Sequence, residues 1–496
     1  MFLPITVLGF WLIQELVNRH SALVWLVGCS FFFYAYWNPV YILLIIASIG
    51  FNYFVGYRLS SVSGEVGFRR KILFVGIICN LGLLGYFKYA NFFMDGVNKA
   101  LGLSVQIDAV VLPLAISFFT FQQIAYLVDS YRDVTQERNF INYCLFVTFF
   151  PQLIAGPIVH HKKMMPQFSD HAHQHFQLSN FSGGLTLFFI GLAKKVIIAD
   201  SISDYPNVVF DNVLRGDSLN ILEAWVGTLA YTFQLYFDFS GYSDMAIGLA
   251  LLFGIRLPMN FNSPYKALNT ADFWRRWHIT LGEFLRDYLY IPLGGNRRGI
   301  GRLYFSLMAT MGLSGLWHGA GWTFILWGIQ QGFFHWIFLS WKLFKHKSRR
   351  MFQLPAKLQG MLAVFLTFMA WTVGMVLFRA ESLEVAGSFY QSMFGLNGFA
   401  VEIPYVHEGY DIEDSIKLIG ICFFIVWCLP NSLQIMKDIE PVVNWPDTSQ
   451  AFTAPLRFFR WVKWRPSRLV ACIVSPIVIY TLISMNKVKE FLYFQF

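Results

Sequence analysis

Long apolar runs, separated by short polar breaks, recur from Phe2 to the last residues of the chain. Tyr41–Tyr57, Ile72–Tyr86, Met361–Phe378, Leu418–Leu429 with its flanks and Leu469–Ile483 are the clearest. Several are long enough, as helices, to cross about 30 Å of hydrocarbon. Others are short, or are interrupted by Pro, Gly or charge. The pattern therefore predicts an all-α polytopic membrane protein with roughly 11 to 13 embedded helices. The first run follows Met1 with no basic stretch and no small-residue cleavage site, so it reads as a retained segment rather than a removed signal.

Composition excludes the obvious rival, a string of soluble domains. Of 496 residues, 56% are hydrophobic and 14% charged, against about 25% charged in soluble proteins. The six cysteines lie in or beside apolar runs without a CxxC pair, which predicts buried reduced thiols and indicates neither a disulfide framework nor a metal site. A net charge of +9 raises the question of nucleic acid. The cations, however, form short clusters at run ends, not an extended stripe, so no nucleic-acid partner is expected. These clusters are Arg58 with Arg69, Arg70 and Lys71, then Lys342 to Arg350, and Arg457 to Arg468. Short basic loops are retained in the cytoplasm, which places all three inside, and with them Arg256–Arg302. The stretch 380–416 has no Lys or Arg but carries Glu381, Glu384, Glu402, Glu408, Asp411, Glu413 and Asp414, and so reads as an outward acidic loop.

Walking this topology along the chain exposes a parity problem. Loop 96–109 falls outside and Asp129–Arg138 inside. Asp200–Asp217 prefers the outside, and His160–Phe176, with Lys162 and Lys163, prefers the inside. The run Asn142–Ile158 must then enter and leave on one face. It contains Pro151, Gly156 and Pro157, which free backbone groups that only protein or a water-filled cavity can satisfy at membrane depth. A re-entrant segment is the expectation.

Tyr231 to Gly299 is the most polar and aromatic stretch. Asp238 and Asp244 stand beside apolar Met245–Gly254; they are either carboxylates facing a cavity or partner, or solvated residues at the interface. A turn-rich break, Asn260 to Tyr265, leads into Asp272-Phe-Trp274-Arg275-Arg276-Trp277-His278-Ile-Thr280, followed by Glu283, Arg286, Asp287 and Tyr288. An interfacial amphipathic helix accounts for the aromatics. The density of Arg275, Arg276, His278, Glu283, Arg286 and Asp287 fits a cytoplasmic reaction vestibule better. Leu293-Gly-Gly-Asn-Arg-Arg-Gly299 closes the region, with Arg297, Arg298 and Arg302 as either a phosphate cradle or a juxtamembrane anchor.

Downstream, Met311-Gly-Leu-Ser-Gly-Leu-Trp317-His318-Gly319-Ala-Gly-Trp322 places an imidazole in an apolar run, flanked by tryptophans. A lone histidine there is either a satisfied core residue or a functional one. Membrane depth, small residues at Gly312, Ser314, Gly315, Gly319 and Gly321, and the polar stretch upstream favour function. Imidazole accepts a proton near neutral pH, as activation of a hydroxyl requires. There is no GxSxG, P-loop, HExxH or His/Cys set at metal spacing. A secondary transporter would also carry broken, charged segments, but neither histidine motif has a second copy in the other half.

Leu112-Pro-Leu-Ala-Ile-Ser-Phe-Phe-Thr-Phe-Gln122, Pro151-Gln-Leu-Ile-Ala-Gly-Pro157, Phe237-Asp-Phe-Ser-Gly-Tyr-Ser-Asp244, Phe273-Trp-Arg-Arg-Trp-His278 and Gly315-Leu-Trp-His-Gly319 occur in this order over nearly the whole chain. Together they resemble the membrane-bound O-acyltransferases, in particular the bacterial branch with the alginate O-acetyltransferase membrane subunit. Chain length, Leu429-Pro430-Asn431-Ser432 and the tail Phe491–Phe496 look closer to that type than to the shorter D-alanyl-teichoic-acid type. The resemblance implies one membrane domain over 1–496, a ring of tilted helices with re-entrant segments around a central tunnel. Its motif-bearing core would be 110–345, and the remaining helices 346–496. It implies His318 as the catalytic histidine, His278 as a second histidine on the cytoplasmic side, and Asn262 in the tunnel lining. Asp238, Asp244, Trp274, Arg275, Arg276, Trp277 and Trp317 are the expected substrate-contacting residues around them. No bound cofactor or metal is implied. The donor would be acetyl-CoA or an acyl-carrier thioester, the location the bacterial inner membrane among its lipids, and the partners periplasmic proteins that acetylate a polysaccharide.

Overall fold

A computed structural model describes residues 1–61, 66–105, 111–135, 138–169, 175–347, 355–398, 412–443, 463–485 and 489–492. Almost all of this is helix; strand, among the described residues, is confined to Leu257–Pro258 pairing in parallel with Val442–Val443. The apolar runs become helices Val40–Ser61, Val66–Leu84, Ala356–Arg379, Ile412–Cys428 and Arg468–Ser484. Among the described residues, Val40–Ser61, Val66–Leu101 and Ala356–Arg379 are long and apolar enough to cross a membrane. Their exposed faces carry Leu43, Phe54, Phe74 and Leu366, as a surface solvated by lipid would.

The chain divides into two compact units. The first comprises Met1–Phe188, Met245–Met259 and Ile439–Trp445; the second comprises Phe189–Asp244, Asn260–Asp438 and Pro446–Phe496. In the first, Asn142–Ile158 forms two short pieces, Phe140–Thr148 and Phe150–Leu153. The nine residues of the longer piece rise about 14 Å, half a bilayer core. Side chains satisfy the backbone that the break frees: Gln152 Nε2 donates to the Phe146 carbonyl at 3.0 Å, and the Phe150 amide donates to Ser30 Oγ at 3.3 Å. This is the arrangement a re-entrant segment requires.

In the second unit, helices Ile300–His318 and Trp322–Lys347 cross at closest approach through Gly315 and Gly328. A Cβ on Gly315 would collide with the Phe324 carbonyl, and one on Gly328 with the Met311 carbonyl, so the crossing exists only with glycine at both places.

Three expectations change. The stretch 380–416 is not simply a loop: Ser382 caps a helix Leu383–Met393 whose Val385, Ala386 and Phe389 are buried, and Glu413 and Asp414 open the next helix. Glu402, Glu408 and Asp411 lie outside the described residues, as do parts of the basic clusters 342–350 and 457–468 and of the tail 491–496. All six cysteines are free, as expected, but only Cys144 and Cys422 are buried; Cys79 and Cys472 are exposed on apolar helices, where lipid replaces a protein core. Third, of the two readings of residues 270–290, the single interfacial amphipathic helix is not what forms. Helix Thr270–Trp274 stops, the chain turns, and Ile279–Leu285 restarts it. Trp277 is buried against Trp371, centroids 4.6 Å apart, and Phe273 lies 4.4 Å from the same ring, so these aromatics build core and do not float at headgroup level.

Candidate active site

The turn that interrupts residues 270–290 carries His278, which caps helix Ile279–Leu285 with left-handed backbone, φ +43°. A non-glycine residue rarely adopts this conformation without a surrounding that enforces it. The enforcement comes from the Asn260–Asn262 segment. The Ile279 amide donates to the Asn260 carbonyl at 3.0 Å, and the Asn262 amide donates to the Arg276 carbonyl at 2.9 Å. The His278 ring is almost fully buried, edge-on to Phe239 at 4.8 Å.

Asn260 also sets the ring's proton. Its Oδ1 lies 3.1 Å from His278 Nδ1 and accepts from Thr280 Oγ1 at 3.0 Å, while the Thr280 amide points to it at 3.4 Å. A backbone amide can only donate, so this end of Asn260 is the carbonyl, and its Nδ2 faces Ser243 Oγ at 3.4 Å. His278 Nδ1 therefore carries the hydrogen, and Nε2 presents its lone pair. A neutral His278 is a proton acceptor at Nε2, not a donor to an oxyanion. Asn260 is completely buried. It escaped sequence reasoning because Asn262, in the same break, carried the signal.

His318 ends helix Ile300–His318, and Gly319 continues as extended chain. The ring is buried among Trp327 and Phe378, each with its centroid 5.2 Å away, and Trp317 at 4.9 Å. Trp317 also lies 6.1 Å from His278, so a single indole stands in contact with both imidazoles. Gly319 and Gly321 amides donate to the Gly315 and Gly319 carbonyls, which engages two amides of the glycine-rich turn. Ser314 Oγ, one turn before His318, and Trp327 Nε1 are buried donors without a partner among the described residues.

The other expected site residues divide into groups. Trp274 packs on Trp327 and Trp371, and Trp277 on Trp371, in the aromatic wall next to His318. Arg276 Nε donates to Asp272 Oδ1 at 2.9 Å and its Nη1 to the Asn262 carbonyl at 3.3 Å. Arg275 is exposed, as is Arg286, which forms a two-pronged pair with Asp287. Asn262 Oδ1 accepts from Asn431 Nδ2 at 3.3 Å. Asp238 and Asp244 are buried, and each is held 2.6 Å from a lysine, Lys195 and Lys194 respectively. The two lysines open the π-helical turn Lys194–Ala199. In the Gly294–Gly299 turn, Arg302 Nε is committed to the Leu293 carbonyl, while Arg297 and Arg298 are exposed.

Residues 83–378 match MBOAT, the membrane-bound O-acyltransferase family. The chain is 42% identical over 493 residues to a peptidoglycan O-acetyltransferase of Helicobacter pylori, covering 91% of each. It is 41% identical over 401 residues to a probable alginate O-acetylase of Pseudomonas aeruginosa, covering 79% of this chain and 73% of that one. A teichoic acid D-alanyltransferase of Bacillus subtilis is 27% identical over 286 residues, 54% of this chain and 69% of that one. The chain belongs to the membrane-bound O-acyltransferase family. It is an acyltransferase and a membrane protein, and His278 and His318 lie within the matched segment.

Asn260→Asp tests the arrangement around His278. The carboxylate keeps an acceptor for Nδ1–H but favours the charged imidazolium, in which the Nε2 lone pair is lost. The acidic limb of the pH–rate profile of acyl transfer is expected to move to higher pH, with unchanged elution on size exclusion in detergent. An unshifted profile would show that Asn260 does not act through His278.

Proposed function

We propose that this protein is a multi-pass enzyme of the bacterial cytoplasmic membrane that carries acetyl from a cytoplasmic thioester, acetyl-CoA or an acyl-carrier thioester, to an acceptor hydroxyl for O-acetylation of an extracytoplasmic polysaccharide. The observation that carries this reading is the pair of buried imidazoles joined by Trp317. His318 removes the proton of the acceptor hydroxyl as its oxygen attacks the thioester carbonyl. The tetrahedral oxyanion collapses, the C–S bond breaks, and the proton held on His318 leaves with the thiolate as free thiol. The oxyanion requires donors, for which Ser314 Oγ and Trp327 Nε1 have unmet hydrogen-bonding capacity. His278, accepting at Nε2, orients a hydroxyl or thiol at the cytoplasmic end. Asn262, Trp274, Trp277, Arg275 and Arg276 frame that vestibule, and Asp238 and Asp244 hold its wall through Lys195 and Lys194.

The probable alginate O-acetylases among the relatives support a polysaccharide of the alginate kind; periplasmic partner proteins would complete the transfer, and the acidic stretch 380–416 is either their docking site or a solvated loop. Peptidoglycan is the second reading, favoured by the end-to-end match to the Helicobacter pylori protein. Deletion of the gene, with O-acetyl quantified separately in exopolysaccharide and in muropeptides, decides between them: acetyl is expected to vanish from one and to return with the wild-type gene. Acetyl unchanged in both polymers, with no thioester consumed by the purified protein, would favour a transporter and overturn the proposal.

A further inference from the structure

In the first unit, the fold brings Asp129 to two consecutive histidines, His160 and His161, that are distant from it in sequence. Asp129 lies near the end of helix Ile116–Tyr131, and His160 and His161 stand at the start of helix His161–Ser169. They flank the broken segment 140–158 on its two sides. Asp129 Oδ2 is 2.9 Å from His160 Nε2 and 3.6 Å from His161 Nδ1. The imidazole centroids are 4.5 Å apart, and one ligand atom from each residue lies within 4.8 Å of the others. Ligand atoms at the usual bond lengths around a tetrahedral zinc are about 3.3 Å apart, a value that the two distances from Asp129 bracket. Asp129 and His161 are 4% and 2% exposed. Neither ring nitrogen of His161 has a hydrogen-bond partner among the described residues, which is uncommon for a buried imidazole.

We propose that Asp129, His160 and His161 bind a first-row divalent metal of the zinc class, through Oδ2, Nε2 and Nδ1 respectively, with the fourth position left to water. Two imidazoles and one carboxylate form a donor set that suits zinc and is too nitrogen-rich for magnesium or calcium. The ion replaces the His160–Asp129 hydrogen bond. A metal on Nε2 leaves the ring hydrogen on Nδ1, so the 3.3 Å approach of the Lys162 amide to that atom is given up. The carboxylate offsets the nearby charges of Lys162 and Lys163. Coordination pins the end of helix Ile116–Tyr131 to the start of helix His161–Ser169, the two helices between which the broken segment lies in sequence, independently of which acyl acceptor the enzyme serves.

The test uses the full-length protein purified in detergent without chelator, with zinc measured by mass spectrometry in wild type, His161→Gln and Asp129→Asn. These variants keep side-chain volume, and size exclusion reports their folding. Stoichiometric zinc in wild type, lost in folded variants, is the expected result. Should neither variant fold, chelator-stripped wild type titrated with zinc and with magnesium decides: zinc alone is expected to restore a raised Tm. Zinc that persists in the folded variants, or stripped wild type that gains no stability from zinc, overturns the proposal and leaves a plain His160–Asp129 hydrogen bond.

Discussion

His318→Gln is expected to abolish acyl transfer while the protein remains folded. Glutamine is close to histidine in volume and polarity but cannot take up a proton, so the variant removes the base and little else. The ring packs on Trp317, Trp327 and Phe378 at the end of its helix. Shortening it to alanine adds a cavity, which makes glutamine the cleaner replacement. A positioned general base contributes about 10²–10⁴-fold to rate, so polymer acetylation should fall to background in complemented cells. Thioester turnover by protein in liposomes should fall by a factor in that range. Size exclusion in detergent checks that the folded fraction is unchanged. Acetylation at the wild-type level in a folded His318→Gln protein would refute the role.

The helices and the burial of His318 in an apolar setting were legible because both signals are local. An apolar run long enough to cross hydrocarbon has few alternatives to helix, and each of the five clearest runs forms one. Likewise, Pro151, Gly156 and Pro157 announced a break that the structure places at Phe149 and again at residues 154–160. What sequence could not supply is pairing across long separations. Asp238 and Asp244 stayed undecided between a buried partner and solvation because Lys194 and Lys195 lie more than forty positions upstream, in a run that looks merely apolar with two charges. Trp277 looked interfacial because indole suits a headgroup region, yet Trp371, from a distant helix, supplies a core for it. Asp129, His160 and His161 show no metal spacing along the chain, since the broken segment separates the aspartate from the two adjacent histidines. Helix Leu383–Met393 was hidden by acidic residues that mark an exposed loop equally well.

Lys195 is where that hidden pairing has its largest energetic consequence. Its ammonium is 2% exposed, 2.6 Å from Asp238 Oδ1 and 2.8 Å from Asp200 Oδ1. It also donates to the Glu490 carbonyl at 3.2 Å and lies 4.7 Å from the Phe491 ring centroid. Asp238 Oδ2 accepts from the Leu492 amide at 3.2 Å, so the buried charges hold residues 490–492 of the tail in place. Lys195→Met keeps much of the side-chain length and deletes the charge, leaving two buried carboxylates facing each other and the Glu490 carbonyl without this donor. Breaking a buried pair by removing one partner costs about 3–5 kcal/mol, much of a typical stability of about 5–15 kcal/mol. Folded Lys195→Met protein, read as the monodisperse peak in detergent, is therefore expected to fall steeply. Adding Asp238→Asn should recover part of it, because the amide oxygen still accepts from Leu492 and one uncompensated charge is gone. That coupling is what residues in one network display. Should Lys195→Met instead fold like wild type and lose only transfer, the lysine and its carboxylates would belong to substrate handling, not to the wall that supports the histidines.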